Sequence, residues 1–130
     1  MDKKIISTAA ILGMIAIILG AFGAHALKKV LSIEQLSTFE TGVRYQMYHA
    51  LFLLFIGLVK DITQKTKKTI YFLVLSGVLL FSGSIYLLAT NDLTAFDFKI
   101  IGFVTPIGGL LLILAWAVLL LNITNKKPQN

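Results

Sequence analysis

The sequence predicts an all-α integral membrane protein, a four-helix bundle that crosses the bilayer four times. Of the 130 residues, 57% are hydrophobic and only 14% are charged, whereas soluble proteins average about 25% charged residues. A soluble domain of this size leaves much of its surface in water and could not bury so much apolar side chain. The four apolar stretches approach the roughly 20 residues that cross a bilayer. They form a single transmembrane domain over residues 1–130, with spans at about 5–27, 43–59, 69–90 and 100–121.

The first span follows Lys3 and Lys4 and ends near His25. It resembles a signal peptide, because Ala24-His25-Ala26 fits a small-x-small cleavage site, but its apolar run exceeds the roughly 7–15 residues of a signal core. We therefore expect an uncleaved helix. Stripes of small residues let helices approach closely, within one chain or between two copies. The first span carries such a stripe at Ala9, Gly13, Ala16, Gly20 and Ala24.

A short amphipathic helix is predicted between the first two spans, on the outer side of the membrane. The segments Ser32–Gln35 and Ser37–Glu40 each fit a capping box, and apolar residues recur between them at helical spacing. This helix would lie near the interface and run into the second span. One face of the second span is expected to turn inward, and it comprises Gly42, Gln46, His49, Leu53 and Gly57. In the fourth span, Pro106 is expected to kink the helix by freeing the carbonyl of Gly102.

The distribution of lysine and arginine predicts the orientation, because cytoplasmic segments carry an excess of positive charge. In the four-span topology, four of the twelve basic residues lie on one side of the membrane: Lys28, Lys29, Arg44 and Lys99. The other eight are Lys3, Lys4, Lys60, Lys65, Lys67, Lys68, Lys126 and Lys127. Both termini and the 60–68 loop are therefore predicted to be cytoplasmic. The net charge of +6 is assigned to this orientation, and no nucleic-acid partner is expected.

Polar side chains from all four spans are predicted to meet in the outer half of the bundle. The inner halves contain almost nothing polar, and Trp116 is assigned to an aromatic belt near the inner surface. His49 would lie about one and a half turns below the outer surface, with Gln46 beside it in the interior and His25 across from them. The members of this predicted cluster are His25, Gln46, His49, Ser84, Tyr86 and Thr105.

Several chemical roles are open to the two histidines. Ionisable residues within a membrane suggest a functional site, so His25 and His49 either bind a substrate, carry protons, or form interhelical hydrogen bonds. Haem accepts histidine ligands, but no other feature indicates a haem pocket, and no cofactor is expected. Two histidines and one uncertain carboxylate are too few for a metal site. The chain has no cysteine, and Ser82-Gly83-Ser84 is not a nucleophile elbow, so no catalytic residue is assigned.

Charged and aromatic residues at the outer end have structural interpretations as well. Glu40 precedes Arg44 by four residues, the favourable order for a helical ion pair, and this pair would orient the entry of the second span. Tyr45 and Tyr86 are typical of an interfacial aromatic belt, and alternatively line a ligand site together with the polar cluster.

Four motifs resemble a known family. The motifs are GAFGAHALK at 20–28, FETGVRYQMYHALFLL at 39–54, SGSIYLLA at 82–89 and TPIGGLLLILAW at 105–116. Together they resemble domain-of-unknown-function family 423, also called uncharacterised-protein family 0382. The resemblance implies a small bacterial four-span protein of the inner (plasma) membrane, and it supplies no catalytic residues.

Three classes of function remain open. The first is a non-enzymatic accessory or scaffold protein, whose outer polar cluster holds the bundle together or docks a larger membrane complex. The second is a small-molecule or proton-linked binder or transporter, which would need a second copy because four short helices enclose little space. The third is a membrane enzyme or redox protein that uses His25 and His49. The lipid bilayer is the one partner that all three share.

Overall fold

The computed structural model describes residues 1–126, and it is entirely helical apart from short connections, which confirms the all-α class. The four long helices are α1 (Asp2–His25), α2 (Ile33–Leu58), α3 (Gln64–Ala89) and α4 (Val104–Thr124). Three short 3-10 turns lie in the connections, at Leu27–Lys29, Asn91–Leu93 and Phe98–Ile101.

Three of the helical segments are long and apolar enough to cross a membrane. They are Asp2–Lys29, Gln64–Ala89 and Phe98–Thr124. The α2 helix is equally long, but its first half carries Glu34, Glu40 and Arg44 among other polar residues, so its hydropathy stays below that of the others. The crossing of the membrane by α2 therefore remains a prediction.

The predicted amphipathic helix is present, and it runs into the second span without a break. The α2 helix begins directly after Ser32, which forms a capping box with Gln35: the Gln35 amide donates to Ser32 Oγ (3.1 Å), and the Ser32 amide donates to Gln35 Oε1 (2.9 Å). From there the helix continues unbroken to Leu58. The second predicted capping box, at Ser37–Glu40, is wrong because these residues lie within a continuous helix and leave no helix start to cap.

The four helices alternate in direction, so that two distinct ends of the molecule form. At the terminus end, Asp2 accepts hydrogen bonds from Gln64 (2.9 Å) and Lys67 (3.1 Å), and Lys126 donates to the backbone carbonyl of Asp61. At the opposite end, which we call the connection end, Gln35 donates to Asp92 (2.7 Å) and so links the first turn of α2 to the connection between α3 and α4. Lys127, which the sequence places with the terminus end, lies outside the described residues.

The α2 and α3 helices form the centre of the molecule. The α1 helix packs along α2, and α4 packs along α3, while α1 and α4 make no extensive contact with each other within residues 1–126. Four helices are thus present as predicted, but the close packing follows chain order instead of closing into a ring, and a closed bundle is not confirmed.

The small-residue stripe of α1 packs against α2 of the same chain. Ala9 and Ala16 are buried. A Cβ atom built on Gly13 would lie 3.8 Å from Ala50, and one built on Gly20 would lie 3.5 Å from Val43. Of the two uses that the sequence left open for this stripe, close packing within the chain is the one observed.

The predicted kink at Pro106 is wrong, because α4 begins only at Val104. The residues before it, Phe98–Ile101, form a 3-10 turn instead. Pro106 therefore occupies the first turn of α4, where backbone N–H groups have no helical acceptor and a missing N–H costs nothing.

Candidate functional site

Gln46 lies at the centre of a buried polar network that connects three helices. Its side chain is 4% exposed. The amide Nε2 donates to the backbone carbonyl of Leu12 on α1 (2.9 Å), and Oε1 accepts a hydrogen bond from the hydroxyl of Tyr86 on α3 (2.6 Å). Because α2 supplies Gln46 itself, a single amide side chain joins α1, α2 and α3.

His49 lies one turn further along α2 and connects this helix to α4. Its Nδ1 is 2.7 Å from the carbonyl oxygen of Tyr45, and its Nε2 is 3.1 Å from the indole Nε1 of Trp116. A carbonyl only accepts and an indole N–H only donates, so Nδ1 carries the proton and Nε2 is bare. Both ring nitrogens of the neutral imidazole are therefore occupied. The indole also stacks on Phe52, with ring centroids 4.0 Å apart.

Hydroxyl groups extend the network along α3. Ser82 is completely buried and donates to the carbonyl of Gly42 on α2 (2.7 Å). Ser84 donates to the carbonyl of Phe81 within its own helix (3.0 Å) and lies 2.5 Å from the hydroxyl of Thr105 on α4. Ser84 and Thr105 thus join α3 to α4 near the connection end.

Three of the predicted site residues lie outside this network. His25 is exposed at the end of α1, so its predicted place across from His49 is wrong. The predicted ion pair between Glu40 and Arg44 is also wrong, since both side chains are exposed and the Arg44 guanidinium donates to Thr41 Oγ1 (3.2 Å) instead. The Thr41 hydroxyl, one turn earlier on the same face, offers a closer acceptor than the flexible carboxylate of Glu40.

Tyr45 and Tyr86, which the sequence treated as a pair, have different environments. The Tyr86 hydroxyl reaches into the network, and its ring packs on Phe39 with centroids 5.1 Å apart. The Tyr45 side chain is 41% exposed and contacts the edge of Phe81 at a centroid distance of 5.1 Å. Tyr86 is therefore part of the network, while Tyr45 remains at the surface.

His49 and Trp116 lie level with each other along their helices. Counted from the terminus end at 1.5 Å per residue, His49 lies about 14 Å above Leu58, and Trp116 lies about 12 Å above Thr124. The Trp116 side chain is 48% exposed although its indole donates to His49. Its place in an aromatic belt near the inner surface therefore stays a prediction, as does the depth of His49 in the membrane.

Polar contacts also occur at the terminus end, where the sequence suggested almost none. The Thr8 hydroxyl lies 3.0 Å from that of Tyr71 and joins α1 to α3. Asn122 donates to Thr66 (3.2 Å) and joins α4 to α3. Lys67, only 2% exposed, pairs with Asp2. The polar contacts are thus distributed along the helices and are not concentrated at one depth.

Nearly every buried polar atom has a partner. Among residues 1–126, Asn122 Oδ1 is the only buried side-chain nitrogen or oxygen without a hydrogen bond. No three side chains among histidine, aspartate and glutamate converge within this part of the chain. Two histidines far apart, one of them with both nitrogens occupied, give these residues no arrangement that would hold a metal ion.

Besides a cavity of about 260 Å³ that lies next to Gln46 and Tyr86, two cavities adjoin the polar groups. One of about 320 Å³ lies beside His49, between α2, α3 and α4; its lining is Tyr45, His49, Phe81, Gly109, Leu112, Ile113 and Trp116. The other, of about 420 Å³, lies at the terminus end next to Thr66, Asn122 and Lys126. The first is mostly apolar, and the second is the more polar of the two.

Comparison with known proteins identifies similar membrane proteins. The model of the family described as protein of unknown function (DUF423) matches residues 19–109. A UPF0382 membrane protein of Staphylococcus saprophyticus is 41% identical over 119 residues, which cover 92% of this chain and 95% of the relative. The UPF0382 inner membrane protein YgdD of Escherichia coli is 38% identical over 125 residues, covering 93% and 89%. The UPF0382 membrane protein YwdK of Bacillus subtilis is 36% identical over 119 residues, covering 90% and 93%. No solved structure matches the chain.

Proposed function

Because the chain belongs to the DUF423 family, whose relatives above are named only as membrane proteins, we propose that it is a non-enzymatic accessory or scaffold protein of the cell membrane. One observation carries this proposal: buried polar side chains form hydrogen bonds across every pair of packed helices. Groups that bind substrates or move protons need free donors or acceptors, whereas here both ring nitrogens of His49, and both the nitrogen and the oxygen of the Gln46 amide, already form hydrogen bonds.

The hydrogen bonds instead suit a protein that must keep a fixed shape. In hydrocarbon, apolar side chains supply no driving force between helices, so packing and interhelical hydrogen bonds hold them together. An unsatisfied polar group at membrane depth costs several kcal/mol. Any arrangement that separates α1, α2 and α3 would leave the Gln46 amide without its partners and would therefore be higher in free energy. A chain held in one arrangement presents a constant surface to a partner protein.

The topology that we propose has α2 as the fourth span and both termini in the cytoplasm. Within the described residues, seven basic side chains lie at the terminus end and four lie toward the connection end, and the excess marks the cytoplasmic side. We expect a reporter fused after Asn130 to be active only if it functions in the cytoplasm. Activity of a reporter that functions only outside the cell would contradict this topology.

A test of the proposed function compares the wild type with His49→Leu in lipid nanodiscs. For a scaffold, we expect the wild type to retain lipid but no other stoichiometric small molecule by native mass spectrometry. His49→Leu should lower the free energy of unfolding by about 1 kcal/mol, in the range found for hydrogen bonds within membranes. Leu51→Val is the matched control, since Leu51 is 58% exposed on the same helix.

A second candidate function is the binding of an apolar molecule from the bilayer. The cavity of about 320 Å³ beside His49 and Trp116 favours it, because the lining is mostly apolar and includes aromatic side chains. For this function, the wild type would carry a stoichiometric non-lipid molecule, and His49→Leu would lose it while remaining as stable as the wild type. That result would contradict the scaffold proposal.

A further inference from the structure

The exposed face of α2 carries opposite charges that have no partner within the described chain. Glu40 and Arg44 lie four residues apart on this face, and Tyr48 continues it at 51% exposure. The only ion pair within residues 1–126 is that of Lys67 with Asp2. Arg44 uses one of its five N–H donors, on Thr41. We call Ser37, Glu40, Thr41, Arg44 and Tyr48 the charged face of α2.

The charged face lies at a depth where neighbouring helices are apolar. Gly23 of α1 is level with Phe39, since a Cβ built on it would lie 3.2 Å from that ring, and Gly20 is level with Val43. Between Gly23 and Gly13, which is level with Met47 and Ala50, α1 exposes only apolar side chains to its surroundings, and they include Ile17 (65% exposed), Ile18 (59%) and Phe22 (51%). Charged groups at such a depth normally pair with one another or face a protein interior.

We propose that the charged face of α2 is the interface through which a second copy of this chain binds in the membrane, with Glu40 and Arg44 of each copy paired reciprocally. Two copies in one membrane with the same orientation are related by a two-fold axis along the membrane normal, and such an interface uses the same patch twice. The patch must therefore be self-complementary, and a face with one acid and one base meets that condition.

The position of the Arg44 side chain brings the charges into one layer. Its guanidinium turns toward the connection end to reach Thr41, which is adjacent in sequence to Glu40. Rotation about an axis along the membrane normal places equivalent residues of the two copies at the same depth. The Arg44 guanidinium of one copy, turned toward Glu40, therefore lies level with the Glu40 carboxylate of the second copy. Each guanidinium then lies between two carboxylates, which removes both unpaired charges from the hydrocarbon. A single anionic lipid headgroup would neutralise Arg44 and leave Glu40 unpaired.

This inference does not rest on the buried network, because neither Glu40 nor Arg44 contacts Gln46 or His49 through a hydrogen bond. Failure of one proposal leaves the other standing. Both charged side chains are exposed, so their reversal should leave the fold of the single chain intact, which far-UV circular dichroism checks.

Cysteine cross-linking in proteoliposomes tests the proposal, and the chain contains no native cysteine to interfere. We expect Ser37→Cys to form a disulfide-linked dimer, while His25→Cys, exposed on α1 at a similar depth, should not. Adding Arg44→Glu or Glu40→Arg to Ser37→Cys makes the face wholly acidic or wholly basic, and each should reduce cross-linking at least tenfold.

Mixing the two charge-reversed variants tests directly whether the charges of one copy pair with those of the other. When the acidic and basic variants are reconstituted together, with one enlarged by a tag, a heterodimer should cross-link as efficiently as the Ser37→Cys protein alone. Absence of any cross-link at Ser37→Cys, or cross-linking that charge reversal leaves unchanged, would overturn the proposal. So would a result in which Arg44→Glu alters the phospholipids that copurify while no dimer forms, because a lipid headgroup would then occupy this face.

Discussion

Gly108→Ala is expected to separate α3 from α4 and to lower the free energy of unfolding by about 3 kcal/mol, the upper part of the usual range for overpacking. A Cβ at this position would lie 2.7 Å from the carbonyl carbon of Leu80 and 2.8 Å from the Cα of Phe81. These are backbone atoms of α3, so no rotation of a side chain can relieve the contact. The helices must move apart, and the interdigitation of the two helices is lost along with the Ser84–Thr105 hydrogen bond.

Two other glycines provide matched controls for this substitution. A Cβ on Gly83 would meet nothing within 4 Å, and one on Gly109 would meet only the Phe81 ring at 3.5 Å. Gly83→Ala should therefore leave the protein as stable as the wild type, or more stable by about 0.5–1 kcal/mol through its better helix propensity. The single tryptophan, Trp116, lies on α4 and reports the unfolding by fluorescence. A Gly108→Ala protein that unfolds like Gly83→Ala would show that α3 and α4 are not packed this closely.

Gln46→Leu is expected to have the second largest effect, a loss of about 2 kcal/mol in the free energy of unfolding. Leucine retains the volume but removes both interhelical hydrogen bonds of the amide. It also leaves the half-buried Tyr86 hydroxyl without its acceptor, and an unsatisfied buried group costs about 1–3 kcal/mol. Individual hydrogen bonds within membranes average about 0.6 kcal/mol, so the orphaned hydroxyl accounts for most of the expected loss.

A double-mutant cycle with Tyr86→Phe isolates the contact between Gln46 and Tyr86. Because the two side chains touch, we expect the double variant to be more stable than the sum of the single losses predicts, by about 1 kcal/mol. Tyr48→Phe is the control, since its ring is 51% exposed and removal of its hydroxyl should change little. Strict additivity of Gln46→Leu and Tyr86→Phe would mean that the hydrogen bond between them does not contribute to stability.

The sequence predicts the helices well where their apolar runs are uninterrupted. The runs at 5–27 and 69–90 correspond to Asp2–His25 and Gln64–Ala89, each of which begins several residues earlier than predicted. The difference arises because polar residues continue a helix beyond the hydrocarbon, and hydropathy does not detect them. The largest shift is at α2: its apolar run begins at residue 43, whereas the helix begins at Ile33, directly after the Ser32 capping box that the sequence indicates.

The residues of α2 that face the interior of the protein could be predicted from their spacing. Gly42, Gln46, His49, Leu53 and Gly57 follow helical spacing, and all five are buried. The small residues at the two ends of this face indicated a close neighbour, and an amide or imidazole on the same face had to be buried with it. Burial of Gln46 and His49 therefore follows from periodicity within a single helix.

The partners of these residues could not be predicted, because periodicity says nothing about how one helix is rotated against another. The position of Trp116 along its span indicates an aromatic belt, but it does not reveal that the rotation of α4 also brings the indole to His49. The prediction of an ion pair between Glu40 and Arg44 was wrong for a different reason. Surface ion pairs are worth about 0–1 kcal/mol, so sequence spacing cannot decide between a carboxylate and a nearby hydroxyl as the acceptor for Arg44.

The measurement that tests the structural role of the network most directly is the ¹⁵N NMR spectrum of His49 in lipid bilayers at neutral pH, with His25→Gln removing the other histidine signal. The network occupies both ring nitrogens, so we predict a neutral ring with the proton on Nδ1, a bare Nε2 that accepts from Trp116, and a change in the Nε2 shift in Trp116→Phe. A proton on Nε2, a doubly protonated ring, or signals that Trp116→Phe leaves unchanged would contradict the account, because His49 would then be free to bind a ligand or carry a proton.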